Sequence, residues 1–137
     1  MVPRDQEDLR YTRARNQMVK SQIVARGISD PAILKAMERV PRHLFVPPAL
    51  VKSAYNDQPL PIGYNQTISQ PFIVAYMTEL SKPAKGKKAL EIASGSGYQA
   101  AVLAEIVDTV FTIEIVPELA REAEARLKKL GYRNIVT

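Results

Sequence analysis

Residues 89–98 read A-L-E-I-A-S-G-S-G-Y, and this stretch decides the fold. Its first four residues form a short, mostly apolar run typical of a strand, and Tyr98 begins a segment with the apolar spacing of a helix. The glycines between them, Gly95 and Gly97, permit a tight turn and a close approach of the backbone to a ligand. A strand that gives way to a helix can also aim backbone N–H groups at that ligand. The stretch therefore predicts a strand, a binding loop and a helix.

The chain around this stretch alternates in type. The strand at 89–92 and the helix at 98–107 are followed by a predicted strand at 109–116, a charged amphipathic helix at 117–130 and the start of a third strand at 134–137. Strand, helix, strand, helix, strand is the signature of a parallel sheet with right-handed crossovers. We therefore expect an α/β, Rossmann-like fold that stops after the start of its third strand.

The first eighty residues predict a helical preface that packs beside the sheet. Gly27 is a natural helix stop, and Asp30 followed by Pro31 is a cap with proline at the first helical position. Prolines 41, 47 and 48 forbid a helix interior between them. The expected elements are helices at 5–25, 31–40 and 71–80, an extended link at 41–48, a brief helix at 49–55 and an irregular segment at 56–70.

Length and composition bound the class of protein. With 137 residues, 46% of them hydrophobic, the chain has material for one core. We expect a single, incomplete domain at 1–137, with the preface and a covering loop at 1–82 and the cofactor-binding part at 83–137. No apolar run approaches the roughly 18 residues of a membrane span, and the start lacks a secretory signal, so a cytoplasmic location and no membrane partner are expected.

The inventory of reactive side chains is small. The absence of cysteine excludes disulfides, thiolate nucleophiles and thiolate metal sites, and no metal is expected. His43 is the only imidazole, and packing or capping is favoured over catalysis for it. The net charge is +5, but the basic residues are scattered without interleaved aromatic residues, which favours solvated helix faces over a nucleic-acid site.

The glycine loop predicts a ribose-containing cofactor. Glu114 lies about twenty residues further on, where a carboxylate can accept both hydroxyls of a ribose. Residues 95–100 satisfy the G-x-G-x-x-A pattern of dinucleotide binders, but Glu91, two residues before Ala93, suits a cofactor that carries an ammonium group, as S-adenosylmethionine does. A methyltransferase is favoured over a dehydrogenase, and a strand–helix turn without a ligand is the structural alternative.

A second loop, residues 62–70, reads I-G-Y-N-Q-T-I-S-Q and runs into the helix at Pro71. The hydroxyls of Thr67 and Ser69, with nearby backbone N–H groups, can orient a carboxylate without removing a proton from it. The alternative is a helix cap, which Ser69 or Gln70 would supply.

The sequence resembles the protein-L-isoaspartate (D-aspartate) O-methyltransferase family over nearly its whole length. The blocks that carry the resemblance are V-P-R-H-L-F-V-P at 40–47, A-Y-N-D at 54–57, P-I-G at 61–63, Q-T-I-S-Q-P at 66–71, L-E-I at 90–92 and S-G-S-G-Y at 94–98.

The resemblance implies methyl transfer from S-adenosyl-L-methionine to the α-carboxyl group of L-isoaspartyl residues in damaged proteins and peptides, with S-adenosyl-L-homocysteine as product. The ester then closes to a succinimide, whose hydrolysis returns some normal aspartate. In such enzymes the Gln-Thr-Ile-Ser segment covers the cofactor and its serine is the active-site residue, so Ser69, with Thr67, is the expected catalytic pair. The expected cofactor-binding residues are Gln66, Thr67, Ile68, Ser69, Glu91, Ala93, Ser94, Gly95, Ser96, Gly97 and Glu114.

Two positions depart from the family pattern. Asn65 replaces a glycine, and asparagine tolerates positive φ well. Ala93 replaces the first glycine of the cofactor loop, where a Cβ at positive φ costs roughly 1 to 2 kcal/mol. We therefore predict weakened but not abolished cofactor binding.

Family members continue past residue 137, so the strand at 89–92 is expected to have a free edge. That edge predicts a homo-oligomer, an exchange of segments, or a fragment with little activity of its own. The remaining alternatives are methylation of another acceptor such as RNA, which the basic charge permits, and a cofactor-binding module without catalysis.

Overall fold

The computed structural model describes residues 8–137, so the predicted start of the first helix at residue 5 lies outside the described residues. Five helices and five strands follow one another in the described part of the chain, besides shorter helical turns. They are α1 Leu9–Met18, α2 Pro31–Arg39, β1 Leu60–Gly63, β2 Gln66–Ile68, α3 Pro71–Ser81, β3 Lys88–Ile92, α4 Tyr98–Ala104, β4 Thr109–Ile113, α5 Pro117–Lys129 and β5 Ile135–Val136.

The strands β3, β4 and β5 form a parallel sheet in that order. The predicted α/β, Rossmann-like architecture is therefore confirmed. The register places Glu91 of β3 beside Thr112 of β4. Within the described residues β3 pairs with β4 alone, so its other edge is free, as predicted.

The two faces of this sheet differ in what covers them. Val110 and Thr112 of β4 are buried on one face, where Val110 packs with α4 residues such as Ala100 and Leu103. Since side chains alternate along a strand, the opposite face carries the intervening residues. Apart from Lys88 and Thr109, those side chains are apolar yet exposed, with Leu90 at 64% and Ile92 at 69% exposure.

The preface and the sheet share one hydrophobic core. Met37, Val40 and Phe45 are buried in the same cluster as Tyr98 and Leu127. The Phe45 and Tyr98 rings meet edge to face with centroids 5.5 Å apart. The core therefore contains residues from both parts of the predicted domain, 1–82 and 83–137. The division of the chain between residues 82 and 83 remains a prediction.

Local signals position the first helices as predicted. The Asp30 carboxylate accepts a hydrogen bond from the Ala32 N–H at 2.9 Å, and Pro31 takes the first helical position. Gly27 ends the preceding helical segment with a φ of 98°. The single helix expected at 5–25 instead changes type after Met18, with a π-helical segment Val19–Ile23 and a 3₁₀ turn Val24–Arg26.

Two predictions for the preface are wrong. The link at 41–48 is not extended throughout, since a 3₁₀ turn covers Arg42–Phe45. The brief helix expected at 49–55 is present, as a 3₁₀ helix over Pro48–Ser53. Prolines exclude an α-helix interior, but a four-residue turn fits between them. The segment 56–70 is not irregular throughout, because β1 and β2 form an antiparallel hairpin.

The hairpin turn explains why that segment was missed. Tyr64 and Asn65 connect the strands with φ values of 55° and 56°. Positive φ at both central residues is the type I′ pattern, which sequences usually encode with Asn-Gly or a similar pair. Several elements of the sheet are also shorter than predicted: α4 ends at Ala104, β4 at Ile113 and β5 covers only two residues.

None of the helices in residues 8–137 has the length and apolar character needed to cross a membrane.

Candidate active site

A cavity of about 320 Å³ brings the two predicted loops together. The hairpin contributes Thr67, Ile68 and Ser69, and the glycine loop contributes Ala93 to Ser96. Glu91 also lines it, with residues of α3 and α4. Of the predicted site residues, Gln66, Gly97 and Glu114 do not line this cavity.

Strand alternation presents the hydroxyls of the hairpin to the cavity. Ile68 is only 4% exposed and packs into the core, whereas its neighbours Thr67 and Ser69 are exposed. Gln70 precedes α3 at the cap position, but α3 has no side-chain cap hydrogen bond among the described residues. The helix-cap alternative for Ser69 is therefore disfavoured, and both hydroxyls remain available to a ligand.

The hairpin is fastened to the preface through Asp57. The Asp57 carboxylate accepts hydrogen bonds from the Arg26 guanidinium and, at 2.6 Å, from the Gln70 amide. The hydrogen bond from Arg26, followed by that from Gln70, lowers the pKa of Asp57 to about 2. Arg26 also lies over the Phe72 ring, 5.4 Å from its centroid. These contacts hold the residues directly after Ser69.

The glycine loop is pinned to β4 by its backbone. The Ile113 carbonyl accepts hydrogen bonds from the Ala93 N–H at 2.7 Å and from the Ser94 N–H at 3.1 Å. Ala93 has a φ of 73°, so the expected positive φ is present. Its side chain is exposed and lines the cavity. The Ala93 methyl group therefore occupies space where a glycine would leave room for a ligand.

The two loop serines use their hydroxyl groups within the protein. The Ser94 hydroxyl is hydrogen-bonded to the Thr112 hydroxyl, and the Ser96 Oγ accepts a hydrogen bond from the Tyr98 N–H at 3.3 Å. Both serines are buried. The groups that Ser94 and Ser96 can offer to a ligand are therefore those of the backbone.

Gly95 and Gly97 serve different purposes. A Cβ on Gly97 would lie 3.2 Å from the Leu127 Cδ1 of α5, closer than ordinary contact, and its φ is 90°. Arg126, one residue earlier on α5, donates a hydrogen bond to the Ser96 carbonyl at 2.8 Å. Gly97 therefore permits close packing of the loop on α5, whereas a Cβ on Gly95 would meet Ile62 of the hairpin at an ordinary 3.5 Å.

Glu91 is the charged group of the cavity. Its carboxylate accepts a hydrogen bond from the Thr112 hydroxyl at 2.6 Å. Burial raises the pKa of Glu91 to about 7, against the lowering effect of the Thr112 hydrogen bond, and the nearby Glu114 carboxylate adds to the rise. The Glu91 carboxyl is thus harder to ionise than an ordinary glutamate, and a cation in the cavity would favour its ionised form.

Glu114 follows β4 and is oriented toward the glycine loop. One oxygen accepts a hydrogen bond from the Gly95 N–H at 2.8 Å, and the other accepts one from the Val116 N–H at 3.1 Å. A carboxylate has about four acceptor sites, so two remain for the hydroxyls of a ligand.

His43 belongs to the preface core. It stacks on the Tyr11 ring with centroids 4.0 Å apart, and its Nδ1 lies 2.8 Å from the Tyr55 hydroxyl. It is buried and does not line the cavity, which fits the favoured packing role.

Sequence reasoning missed three polar residues at the site. Thr112 bonds Glu91 across the sheet, and the Gln99 amide donates to the Thr78 hydroxyl at 2.8 Å beside the cavity. Their only sequence signal is a polar residue inside an apolar element. Which partner each one meets depends on strand register and helix packing.

The parallel sheet, the glycine loop after β3 and the acid after β4 together define the Rossmann-like fold of S-adenosylmethionine-dependent methyltransferases. Comparison with known proteins gives the family: residues 13–137 match protein-L-isoaspartate(D-aspartate) O-methyltransferase (PCMT). The chain belongs to this family.

Named relatives agree with the family match. A protein-L-isoaspartate O-methyltransferase of Picosynechococcus is 63% identical over 121 residues, which cover 88% of this chain and 54% of the relative. The chain thus spans about half the length of that relative. A solved protein-L-isoaspartate O-methyltransferase, 27% identical, superposes with a TM-score of 0.76 over 91% of this chain and 40% of its own.

A Plasmodium falciparum relative, solved in complex with S-adenosyl-L-homocysteine, has the same fold. It is 23% identical, with a TM-score of 0.74 over 88% of this chain and 60% of its own.

Proposed function

We propose that the protein transfers a methyl group from S-adenosyl-L-methionine to the α-carboxyl group of L-isoaspartyl residues in damaged proteins. One observation carries the proposal: a single cavity joins the hydroxyls of Thr67 and Ser69 to Glu91 and the glycine loop. The family match favours this acceptor over RNA. A cytoplasmic location stays a prediction from the sequence.

The residues of the cavity suit this cofactor. Its volume of about 320 Å³ is at the lower end of the range for small-molecule sites. We propose that the Glu91 carboxylate pairs with the ammonium group. We propose that the ribose hydroxyls bind to Glu114, which does not line this cavity but accepts a hydrogen bond from the Gly95 N–H of the glycine loop. The Ala93 methyl group belongs to the lining of the cavity and reduces the space left for the cofactor. The complex of the Plasmodium relative with S-adenosyl-L-homocysteine is consistent with this assignment.

The proposed chemistry needs little help from acid or base groups. When bound, the cofactor supplies a methyl group on a sulfonium, which is already a good electrophile. The acceptor carboxylate has a reference pKa of about 4 and is ionised at neutral pH. We propose that the Ser69 and Thr67 hydroxyls donate hydrogen bonds that orient this carboxylate. Orientation of reacting groups can lower a barrier by about 7 to 11 kcal/mol.

The test is a mass-spectrometric assay of an isoaspartyl peptide and its aspartyl twin with the methyl donor. The expected result is a gain of one methyl group on the isoaspartyl peptide alone. Ser69→Ala should lower the rate, while Ser53→Ala, which removes a serine hydroxyl that does not line the cavity, should not. Equal methylation of both peptides, or of neither in a version extended to the length of its relatives, would refute the proposal.

We further propose that the chain self-associates, or exchanges segments, through the edge of β3, which pairs with β4 alone in the described residues. This edge strand carries the exposed apolar side chains of Leu90 and Ile92, and an unpaired strand edge of this kind promotes association. Sedimentation should show dimers or larger species, and Leu90→Lys with Ile92→Lys should shift the chain toward the monomer. A monomeric parent chain would contradict this proposal.

A further inference from the structure

Thr112 lies at the centre of a buried chain of three side chains under the glycine loop. It is 3% exposed, donates to the Glu91 carboxylate at 2.6 Å and is hydrogen-bonded to the Ser94 hydroxyl. We propose that Thr112 is a positioning residue that holds the Glu91 carboxylate, ionised and correctly turned, for the ammonium group of the cofactor. This inference rests on the proposed function.

The sheet register creates the contact. Glu91 of β3 and Thr112 of β4 are neighbours in the parallel pairing, and their side chains lie on the same face. The distance between Thr112 Oγ1 and Glu91 Oε1 is typical of a strong hydrogen bond to a carboxylate. The bond engages Oε1, so Oε2 is the oxygen left to accept a hydrogen bond from a ligand.

The direction of the hydrogen bonds follows from counting protons. A threonine hydroxyl carries one proton, and Thr112 gives it to Glu91. The bond between Ser94 and Thr112 therefore has Ser94 as donor. Both hydroxyl dipoles point toward the Glu91 carboxylate, and hydrogen bonds aligned in this way strengthen one another.

Glu91 is the one anion that the cavity offers to a bound cation. Among the described lining residues only Glu91 and Tyr98 are ionisable, and burial raises the pKa of Tyr98. The other charged group near Glu91 is Glu114, which disfavours ionisation of Glu91. No lysine or arginine lines this cavity. The Thr112 hydroxyl is thus the neighbour that favours the charged form of Glu91.

The test uses the full chain and the variants Thr112→Val, Thr112→Ser and Ser94→Ala. Thr109→Val is the matched control, because it makes the same change on β4 with a side chain on the opposite face. The first measurement is the Glu91 pKa from carbon NMR of the labelled carboxyl group. Loss of a hydrogen bond to a charged group should raise it by about 1 pH unit in Thr112→Val.

The other variants separate positioning from packing. Thr112→Ser should keep the parent value, Ser94→Ala should raise it less than Thr112→Val does, and Thr109→Val should leave it unchanged. An unchanged Glu91 pKa in Thr112→Val, or equal shifts in the valine and serine variants, would overturn the proposal. If Thr112→Val does not fold, Ser94→Ala decides in its place.

The second measurement is the affinity for S-adenosyl-L-homocysteine between pH 5.5 and 8.5. The pH midpoint of binding should move upward in Thr112→Val with the Glu91 pKa, whereas loosened packing alone would weaken binding equally at every pH. A midpoint that stays fixed while the Glu91 pKa moves would overturn the role in cofactor binding. If the parent chain does not bind this ligand, the assigned cofactor fails for this chain, and the NMR result alone decides whether Thr112 positions Glu91.

Discussion

Replacing Ala93 by glycine should stabilise the chain and tighten cofactor binding. Ala93 has a φ of 73°, where a Cβ costs roughly 1 to 2 kcal/mol. Glycine removes that strain but has more freedom in the unfolded chain, which costs about 0.4 to 1 kcal/mol. The net gain in free energy of unfolding is therefore about 1 kcal/mol.

Urea unfolding measures this gain. With a slope of about 2 kcal/mol per molar, typical of a small protein, the midpoint should rise by about 0.5 M. Ala125→Gly is the matched control, because Ala125 is exposed within α5 and the same substitution there should cost about 0.5 to 1 kcal/mol. A fall in the midpoint for Ala93→Gly like that of the control would refute the argument from strain.

Calorimetric titration with S-adenosyl-L-homocysteine separates strain from obstruction. If the loop keeps its conformation on binding, relief of strain affects the free and bound states equally and leaves the affinity unchanged. Removing a methyl group that obstructs the ligand should tighten binding by up to about tenfold, or 1.4 kcal/mol. A more stable variant with unchanged affinity would show that the Ala93 methyl group does not meet the ligand.

Three further predictions concern the candidate site and the two loops that form it. Glu91→Gln should stabilise the chain at pH 8 by on the order of 3 kcal/mol but not at pH 4. The pKa of Glu91 is raised to about 7 in the folded state, so the folded protein loses stability as the pH rises from the unfolded-state pKa of Glu91 to about 7. Urea unfolding of the parent chain and the variant at the two pH values checks this. Gly97→Ala should destabilise more than Gly86→Ala, since both have positive φ but only the former would press on Leu127; equal midpoints in urea would exclude the packing argument. Asn65→Gly should change the unfolding free energy by less than about 0.5 kcal/mol, because asparagine tolerates its φ of 56° and glycine gains freedom in the unfolded chain; a gain in stability as large as that of Ala93→Gly would contradict this.

The sequence predicted the sheet better than the preface for a physical reason. In the sheet, Gly95, Gly97 and the alternation of apolar segments are local signals, and each element follows from its own residues. The hairpin around Tyr64 was missed because its turn uses residues other than the usual Asn-Gly, so positive φ is imposed by the paired strands. The 3₁₀ turn between the prolines was missed because the exclusion of an α-helix does not specify what replaces it.

The residues of the candidate site likewise differ in how far the sequence alone could identify them. Glu91 and Glu114 were identified from motif and spacing, and Thr67 and Ser69 mainly from the resemblance to the family. The structure places Thr67, Ser69 and Glu91 on one cavity. Thr112 was not identified, because nothing near it in the chain indicates a partner twenty-one residues earlier.

By itself, the sequence determined the class of fold and the two loops, because each of these depends on residues close together in the chain. The positive φ at Ala93 was expected from the resemblance to the family, whose members carry a glycine at that position. Only the tertiary structure decided which distant residues these segments contact. The register of β3 and β4 sets Thr112 against Glu91, and the packing of α5 explains Gly97. Strand register and helix packing bring together segments that are distant in the chain. The energies of those contacts depend on interatomic distances in the folded protein, which the sequence alone does not specify.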